Sequence, residues 1–469
     1  MQPFRADPAP FRLFRRRAVC FTFAPTMSDK STTPMMAQYR RAKAEIAPDT
    51  ILFFRLGDFY EMFFEDAVVA SEILGIALTK RQSYPMCGVP FHAVDLYLAK
   101  LLRAGKKVAL CDQMEDPAQA KGIVKREVTG IVTPGTVLTD SMLDAARPNY
   151  LAGLHRAGKT FGLAMLDLST GDFWMEESAD PDALGDDLAR YAPPEVILPE
   201  SLHADEKFLA HLNATGAFAL TAREDWIFDP ATAEDGLCRH FGVQSLAGFG
   251  GEGHPAAVAA AGALLYYVTR DLRRNAAHVR RIRFRAAADA MVLDESTLAN
   301  LDLVASRGTP RADAPTTLLK ALDTTRTAMG SRLLRDWLVR PLQNLDAIVA
   351  RHDAVEALLK KRHELDALRG VLGDIKDLER LLARLSAGSG NGRDVRALAT
   401  SLAKLPDLKN ALAAHAAPRL AELAAAIVPQ DDLVALVERA IVDEPPMAIK
   451  EGGVIRKGYH AELDELRAA

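Results

Sequence analysis

The residues best suited to chemistry stand in one stretch, DTILFFRLGDFYEMFFEDA, which covers residues 49–67. A hydrophobic run leads into a Gly57-Asp58 turn signal, and a second run rich in aromatic residues follows it. This pattern predicts a strand, a tight turn and another strand. Side chains alternate in direction along a strand. One face would therefore carry Phe59, Glu61 and Phe63, and the other would carry Tyr60, Met62 and Phe64.

One face of the second strand could present an apolar wedge two positions from a carboxylate, just after a glycine that allows the backbone to approach another molecule. The alternative is a hairpin core that carries a glutamate with no special role. From the aromatic content alone the core interpretation is favoured, because most aromatic runs are buried.

The composition narrows the class of protein. The chain has 469 residues, which is too long for one ordinary domain. Its hydrophobic share of 49% predicts sizeable globular cores, and its net charge of −4 argues against a wholly basic nucleic-acid binder while allowing local basic patches. No apolar run is long enough to span a bilayer. The cysteines form no CxxC pair and are predicted to be reduced thiols rather than zinc ligands: Cys20, Cys87, Cys111 and Cys238.

Periodicity divides the chain into four parts. Residues 1–32 are predicted to be a disordered or mis-annotated N-terminal extension. Within it, residues 1–26 are interpreted as a gene-model artefact before a true start at Met27, and an organelle transit peptide is the alternative. Residues 33–137 alternate strands and helices as a small mixed α/β domain, in which residues 85–90 predict a turn-rich loop. A second α/β domain is predicted over residues 138–285 and includes a long alanine-rich helix over residues 256–273.

Residues 286–469 show helical spacing throughout. The predicted helices cover residues 318–338, 345–359, 365–385, 395–405 and 420–427. Such apolar stripes usually face the core of a helical bundle. A further helix begins near Tyr459 and is still under way at Ala469, which suggests a piece of something longer.

Several long motifs occur together in a fixed order. They are TPMMAQY, LGDFYEMFFEDA, ALTKRQSYPMCGVPFHAVDLYLAKLLRAGKKVALCDQMEDP, IVTPGT, LDLSTGDF, TAMGSRLLRDWLVRPL and GGVIRKGYHAELDELR. From about Pro34 onward the chain thereby resembles the N-terminal part of the bacterial MutS DNA mismatch repair proteins. The resemblance implies a mixed α/β mismatch-recognition domain, a connector domain with an RNase H-like α/β fold, and the first part of a helical core and lever domain.

The resemblance also implies roles for individual residues. Phe59 would wedge at a mispaired or unpaired base from the minor groove, Glu61 would hydrogen-bond to that base, and Tyr60, Met62 and Phe64 would hold the strand in its domain. The implied partner is double-stranded DNA with mismatches or small insertion/deletion loops. A wedge costs less free energy at a loosened base step, so it would sense how easily the duplex deforms. Candidates for contacts with the DNA backbone are Lys80, Arg81, Lys106 and Lys107.

The clamp and ATPase of the family lie beyond the residues of this chain. Residues 153–160, GLHRAGKT, match the letters of the GxxxxGK[ST] phosphate loop, but they lie in a predicted strand-turn-strand hairpin. A phosphate loop instead leads from a strand into a helix, so we do not interpret this match as a nucleotide site. We therefore expect no ATP hydrolysis and no cofactor in this chain, and we expect ATP and Mg²⁺ only for the ATPase domain. The family's homodimer and a MutL-type repair partner are expected of a full-length protein. The expected location is the bacterial cytoplasm, in association with DNA and without membrane contact.

Two other functions stay open at this point. RNase H-like folds can host two-metal nucleases, in which Asp167 would need companions such as Asp172 and Glu195. The further acids of such a site are not evident, and a fold does not imply a function. The helical region could instead be an interaction scaffold that does not bind DNA.

Overall fold

A computed structural model describes residues 33–81, 83–115, 124–286, 289–304 and 317–469. The predicted extension over residues 1–32 lies outside these described residues. No helix in the described ranges is both long enough and apolar enough to cross a membrane.

The first part of the chain folds around a six-stranded sheet. Its elements are α1 (Pro34–Ala44), β1 (Thr50–Leu56), β2 (Phe59–Phe63), α2 (Phe64–Leu74), β3 (Thr79–Arg81), β4 (Tyr84–Pro90), α3 (Val94–Arg103), β5 (Lys107–Gln113) and β6 (Arg126–Val132). The strands lie in the order β3-β4-β2-β1-β5-β6. The β1 and β5 strands pair in parallel, and the other neighbours pair antiparallel.

The prediction of a loop over residues 85–90 is wrong, because this segment is strand β4 between β2 and β3. Its two prolines stand close to the ends of the strand, where a missing N–H disturbs the ladder least. Turn-forming residues in the sequence therefore concealed a strand that is hydrogen-bonded on both sides.

Two apolar clusters cover the two faces of this sheet. One contains Phe53, Tyr60 and Met62 together with residues of α2 and α3. The other contains Phe54 and Phe63 and continues into the next domain. The central strands are therefore buried on both faces over most of their length, whereas the edge strand β3 is exposed.

A second six-stranded sheet organises the next part of the chain. Its elements are β7 (Leu151–Ala157), β8 (Thr160–Asp167), β9 (Asp172–Ser178), α4 (Pro181–Tyr191), β10 (Glu195–Pro199), α5 (Glu200–His203), α6 (Glu206–Thr215), β11 (Ala219–Arg223), α7 (Pro230–Phe241), α8 (Pro255–Tyr266) and β12 (Arg283–Phe284). The strand order is β11-β10-β7-β8-β9-β12. Strands β7, β8 and β9 form an antiparallel meander, and β10 and β11 continue in parallel with β7, as an RNase H-like connector domain requires.

The remainder of the described chain is helical. Its helices are α9 (Glu295–Asn300), α10 (Leu318–Leu322), α11 (Ala328–Val339), α12 (Leu345–Lys360), α13 (Arg362–Asp374), α14 (Leu378–Ser386), α15 (Gly392–Leu402), α16 (Leu405–Ala413), α17 (Pro418–Ala426), α18 (Asp431–Ala440) and α19 (Ala461–Ala468). Two mixed α/β sheets followed by a helical region confirm the predicted fold class.

Three predicted helices have different boundaries in the structure, and two of them are interrupted. The helix over residues 318–338 is interrupted before α11, where the Thr327 side chain accepts a hydrogen bond from Gly330 N at 3.0 Å. The helix over residues 365–385 is interrupted before α14, where Asp377 accepts one from Arg380 N at 3.3 Å. The helix over residues 256–273 ends as α8 at Tyr266 and continues only as a π-helical turn. Apolar spacing continued across these boundaries, and the capping side chains determine where the helices begin.

Candidate nucleic-acid interface

The β1–β2 hairpin places the candidate residues at one end of the first sheet. Phe59 pairs with Leu56 across a turn made by Gly57 and Asp58, and Glu61 pairs with Phe54. Gly57 has a φ of +58°, a backbone conformation that glycine adopts without steric cost. The turn therefore brings Phe59 to the first position of a strand that is otherwise held inside the domain.

Burial increases steadily along one face of β2. Phe59 is 48% exposed, the Glu61 side chain is 14% exposed, and Phe63 is 1% exposed. Phe63 packs against Tyr39 with their ring centroids 5.0 Å apart. The face that was predicted to carry these three side chains is thus open only near the turn, where the Phe59 ring is exposed and the Glu61 carboxylate is partly accessible.

The opposite face of β2 holds the strand in the domain. Tyr60 and Met62 are buried in the cluster that also contains Phe53. Tyr60 donates a hydrogen bond from its hydroxyl to Asp112 Oδ1 at 2.5 Å. Burial, with the neighbouring Asp112 carboxylate, raises the pKa of the Tyr60 hydroxyl, so this donor stays protonated.

Phe64 does not share that face, contrary to the alternation that we assumed. The strand ends at Phe63, and Phe64 begins α2 with a φ of +56°. Its ring packs on Tyr84 with centroids 4.9 Å apart and belongs to the periphery of the cluster that contains Phe63. The change of backbone direction at Phe64 turned its side chain to the other side of the sheet.

Arg81 meets Glu61 at the edge of the sheet. The Arg81 Nη1 atom lies 2.5 Å from Glu61 Oε2, and the Arg81 side chain remains 45% exposed. This ion pair offsets the charge of the carboxylate next to Phe59. Lys80 precedes Arg81 on the same edge strand, is exposed, and by strand alternation points to the other face.

Lys106 and Lys107 lie at the far end of the sheet. Lys107 pairs with Thr50 at the start of β1, about 20 Å along the strand from the turn. It is also mostly buried, and its Nζ atom lies 3.0 Å from Asp49 Oδ2. The structure therefore brings Arg81 to Glu61. Lys80 pairs with Pro85, beyond the level of Phe63 in the ladder, so it does not lie at the Phe59 end of the strand, and neither do Lys106 and Lys107.

A different cation, which the sequence analysis did not select, lies beside the turn. Arg55 donates a hydrogen bond from Nε to the Gly57 carbonyl, and its guanidinium carbon is 3.5 Å from the centre of the Phe91 ring. The Lys450 Nζ atom approaches the same ring at 5.2 Å. The only sequence signal for Arg55 was its place two residues before the glycine of the turn.

Asp66 is a second residue that sequence reasoning missed. It accepts hydrogen bonds from Leu52 N at 2.9 Å, from Lys43 Nζ at 2.8 Å and from the Tyr39 hydroxyl at 3.3 Å. These bonds join α1, β1 and α2 directly behind the hairpin. Asp66 therefore fixes the hairpin to the rest of the domain rather than contacting a ligand.

The carboxylates of the connector do not converge on one site. Glu195 lies at the level of Leu151 and Leu166 in the ladder, so Asp167, the next residue after Leu166, faces the other side of the sheet. Glu195 accepts hydrogen bonds from Tyr267 and Thr221, whereas Asp167 accepts them from Ser169 and Asn149. Burial raises the pKa of Asp167 above its ordinary value.

Asp172 lies opposite Asp167, but it is bonded to Tyr150 and Arg283. Among the residues that the structure describes, no group of three or more His, Cys, Asp or Glu side chains could hold a metal ion. These positions do not form the shared carboxylate site that a two-metal nuclease needs.

The cysteines within the described ranges are free thiols. Burial raises the pKa of the Cys87 thiol to about 11, and the negative charge of the nearby Asp66 carboxylate makes a smaller contribution in the same direction. Burial likewise raises the pKa of Cys111 to about 12. Cys20 lies outside the described residues.

Comparison with known proteins decides the family. Models of three consecutive domains match the chain: MutS domain I over residues 33–141, MutS domain II over residues 149–280 and MutS domain III over residues 296–469. The chain belongs to the MutS family. The domain I match contains the whole hairpin with Phe59 and Glu61, and the domain II match contains strands β7 to β11.

Curated relatives agree with this assignment. The chain is 44% identical to "DNA mismatch repair protein MutS" of Myxococcus xanthus, over 93% of this chain and 49% of that protein. It is 43% identical to the protein of the same name from Symbiobacterium thermophilum, over 94% of this chain and 51% of the relative. The chain thus spans about half the length of the curated relatives that it matches.

Proposed function

We propose that this chain binds mismatched double-stranded DNA in DNA mismatch repair and that Phe59 is the residue that senses the mismatch. The observation that carries the proposal is the 48% exposure of Phe59 on a strand whose next residue, Tyr60, is 6% exposed. An exposed aromatic side chain on an otherwise buried strand has little packing reason to be there. It is suited to insert between the bases of a partner.

The free energy of insertion explains the selectivity. Separating two stacked base pairs costs a few kcal/mol, and this cost is smaller where a base is mispaired or unpaired. Stacking of a base on an aromatic side chain returns about 1–3 kcal/mol. The balance between the two terms favours insertion at a mismatch and disfavours it at a normal step. Binding from the minor groove would then kink the duplex toward the major groove.

Glu61 and Arg81 would adjust this balance. A carboxylate beside the DNA backbone repels phosphates at every step, and an ion pair with Arg81 weakens that repulsion. At a mismatch, a base edge freed from its normal partner could donate a hydrogen bond to Glu61. Arg55 at the turn and Arg81 beside Glu61 could contact phosphates, and Lys80 could do so farther along the edge of the sheet. This contribution should depend strongly on salt.

In this proposal, ATP hydrolysis is carried out by the part of the MutS relatives that does not align with this chain. The one match to the phosphate-loop pattern in the sequence, residues 153–160, forms the β7–β8 hairpin and is not followed by a helix, as a phosphate loop would be. Pairing with a second MutS subunit and with a MutL-type partner would likewise involve the longer protein. We place the protein in the bacterial cytoplasm, where its DNA substrate is located.

Fluorescence anisotropy with labelled duplexes tests the proposal. The chain is titrated at low salt against a duplex with a G·T mismatch, a duplex with one unpaired base and a matched homoduplex. We expect tighter binding to the first two. Phe59→Ala should reduce the preference by about 5- to 100-fold, because it removes the stacking term of roughly 1–3 kcal/mol.

The matched control is Trp226→Ala, which removes another exposed aromatic side chain, on the connector domain. It should leave the preference unchanged, and circular dichroism should show that both variants keep the fold. A Phe59→Ala variant with the full mismatch preference would refute the role of Phe59. An absence of any DNA binding would favour the interaction scaffold instead.

A further inference from the structure

A cavity rich in arginine lies between the connector domain and helix α11. We call it the arginine cavity. Its volume is about 330 Å³. Seven arginines but only four carboxylates line it. Arginines thus outnumber carboxylates among the lining residues, although the whole chain is slightly acidic and some of these arginines pair with carboxylates outside the lining.

Four of the arginines already have partners. The pairs are Arg190 with Asp187, Arg283 with Asp172, Arg285 with Asp336, and Arg332 with Asp377 and Glu379. The remaining lining carboxylate, Asp167, is bonded to Ser169 and to the backbone of Asn149. The carboxylates of the cavity are thus occupied by other groups.

Three arginines of the cavity lack such compensation: Arg147, Arg281 and Arg335. Arg147 has only a surface contact of 3.5 Å with Asp144. Arg281 and Arg335 make no hydrogen bond and no ion pair with any part of the chain that the structure describes. Burial, and then the charge of Arg147, lowers the pKa of Arg335 to about 10. Arg281 and Arg335 therefore share the cavity without a bonded carboxylate, and Arg147 beside them has only the contact with Asp144.

We propose that the arginine cavity binds a small anion that carries a diphosphate group. Guanidinium groups form paired hydrogen bonds with phosphate oxygens, and a diphosphate supplies enough charge and acceptors for three of them. The volume lies at the lower end of the range for small-molecule sites, about 300–1,000 Å³, and a nucleic-acid duplex could not enter it. A free diphosphate and a nucleoside diphosphate share this chemistry.

A bound diphosphate would join two domains. Arg281 belongs to the connector, immediately before β12, and Arg335 belongs to α11 of the helical region. An anion held by both would strengthen the contact between the two parts. This ligand site does not depend on mismatch binding, and its effect would appear in the absence of DNA.

Isothermal titration calorimetry of the whole chain tests the site, with pyrophosphate and ADP as probes and adenosine as the uncharged control. We expect both phosphate compounds to bind and adenosine not to bind. Equal affinities would show that the diphosphate alone is recognised, and tighter binding of ADP would identify a nucleotide. Either result supports the site.

Arg335→Gln and Arg281→Gln should each weaken binding by roughly tenfold or more, because each removes a charged donor of hydrogen bonds. Arg362→Gln, which changes an exposed arginine outside the cavity, should not alter the affinity. Arg281 is exposed at the cavity edge, so its variant decides the matter if Arg335→Gln folds poorly. No heat of binding with either probe up to about 1 mM, or unchanged affinity in Arg281→Gln, would overturn the proposal.

Discussion

The junction between the connector and the helical region depends on one buried arginine, Arg332. Its side chain is 8% exposed, and its guanidinium donates to both carboxylate oxygens of Asp377 at 2.7 and 2.8 Å. It also donates to Glu379 at 2.6 Å and to the Ala145 carbonyl at 3.0 Å. Arg332 therefore links α11, the start of α14 and the segment that precedes the connector sheet.

Arg332→Met should remove these bonds and leave the largely buried Asp377 carboxylate without its bonded counter-charge, with only the weaker influence of Arg380. Loss of one partner of a buried ion pair costs about 3–5 kcal/mol of unfolding free energy, most of it from the charge that remains. Arg332→Met combined with Asp377→Asn should therefore regain part of the loss. The exposed pair of Lys360 and Glu356 is the control, and Lys360→Met should cost no more than about 0.5 kcal/mol.

The effect of pH on this variant has a defined sign. Burial alone would raise the pKa of Asp377, but the hydrogen bonds and charge of Arg332 outweigh it and hold the pKa below its ordinary value. A lowered pKa stabilises the fold above the pKa of the unfolded chain, about 3.9, and this contribution disappears as the pH falls through the folded value. The difference between the parent chain and Arg332→Met should thus be complete at neutral pH and shrink below about pH 4.

Urea denaturation followed by tryptophan fluorescence measures this difference, because Trp174 and Trp337 lie on either side of the junction. The unfolding transitions of four proteins are compared at matched pH: the parent chain, Arg332→Met, Lys360→Met and the double variant of Arg332→Met with Asp377→Asn. A loss in Arg332→Met no larger than in Lys360→Met would refute the reasoning. A loss that stayed constant through acid pH would show that the Asp377 charge is not its source.

Four substitutions have further definite expected outcomes. Phe63→Ala should cost about 3–5 kcal/mol in urea denaturation because the ring is fully buried, whereas Phe59→Ala should cost less than about 1.5 kcal/mol because half of the ring is already exposed. Arg81→Ala should weaken binding to matched and mismatched duplexes alike in anisotropy titrations, because a contact between Arg81 and a phosphate does not depend on base pairing. Loss of that contact should also reduce the slope of log K against log salt concentration by about one. Gly162→Ala should lower the melting temperature or prevent folding, because the new Cβ would lie 1.9 Å from a carbonyl oxygen of α8.

Some of the hairpin could be predicted from sequence because its signals are local. The turn at Gly57 and the alternation from Phe59 to Phe63 depend on neighbouring residues, and both appear in the structure. The gradient of burial along the strand was not predictable in the same way. Phe63 is covered by Tyr39 from α1, which is a contact between distant parts of the chain.

The basic residues show the limit of selection by residue type. Lys107 and Arg81 were equal candidates as cations near the hairpin in sequence. In the structure Lys107 pairs with Asp49 at the far end of β1, and Arg81 reaches Glu61 because β4 returns the chain to the edge of the sheet. The prolines of β4 had suggested a loop, so the sequence did not reveal the strand that brings Arg81 there.

The way in which β2 is held bears on how a mismatch would be sensed. Tyr60 and Met62 fix one face of the strand in one cluster, and Phe63 fixes the other face in a second cluster. A strand held from both sides cannot retract easily when Phe59 meets a well-stacked base step. In the proposed function the DNA must therefore change shape rather than the protein. The affinity for a duplex should then increase as the free energy needed to open its base step decreases. A duplex with an unpaired base needs the least free energy for this opening and should bind most tightly.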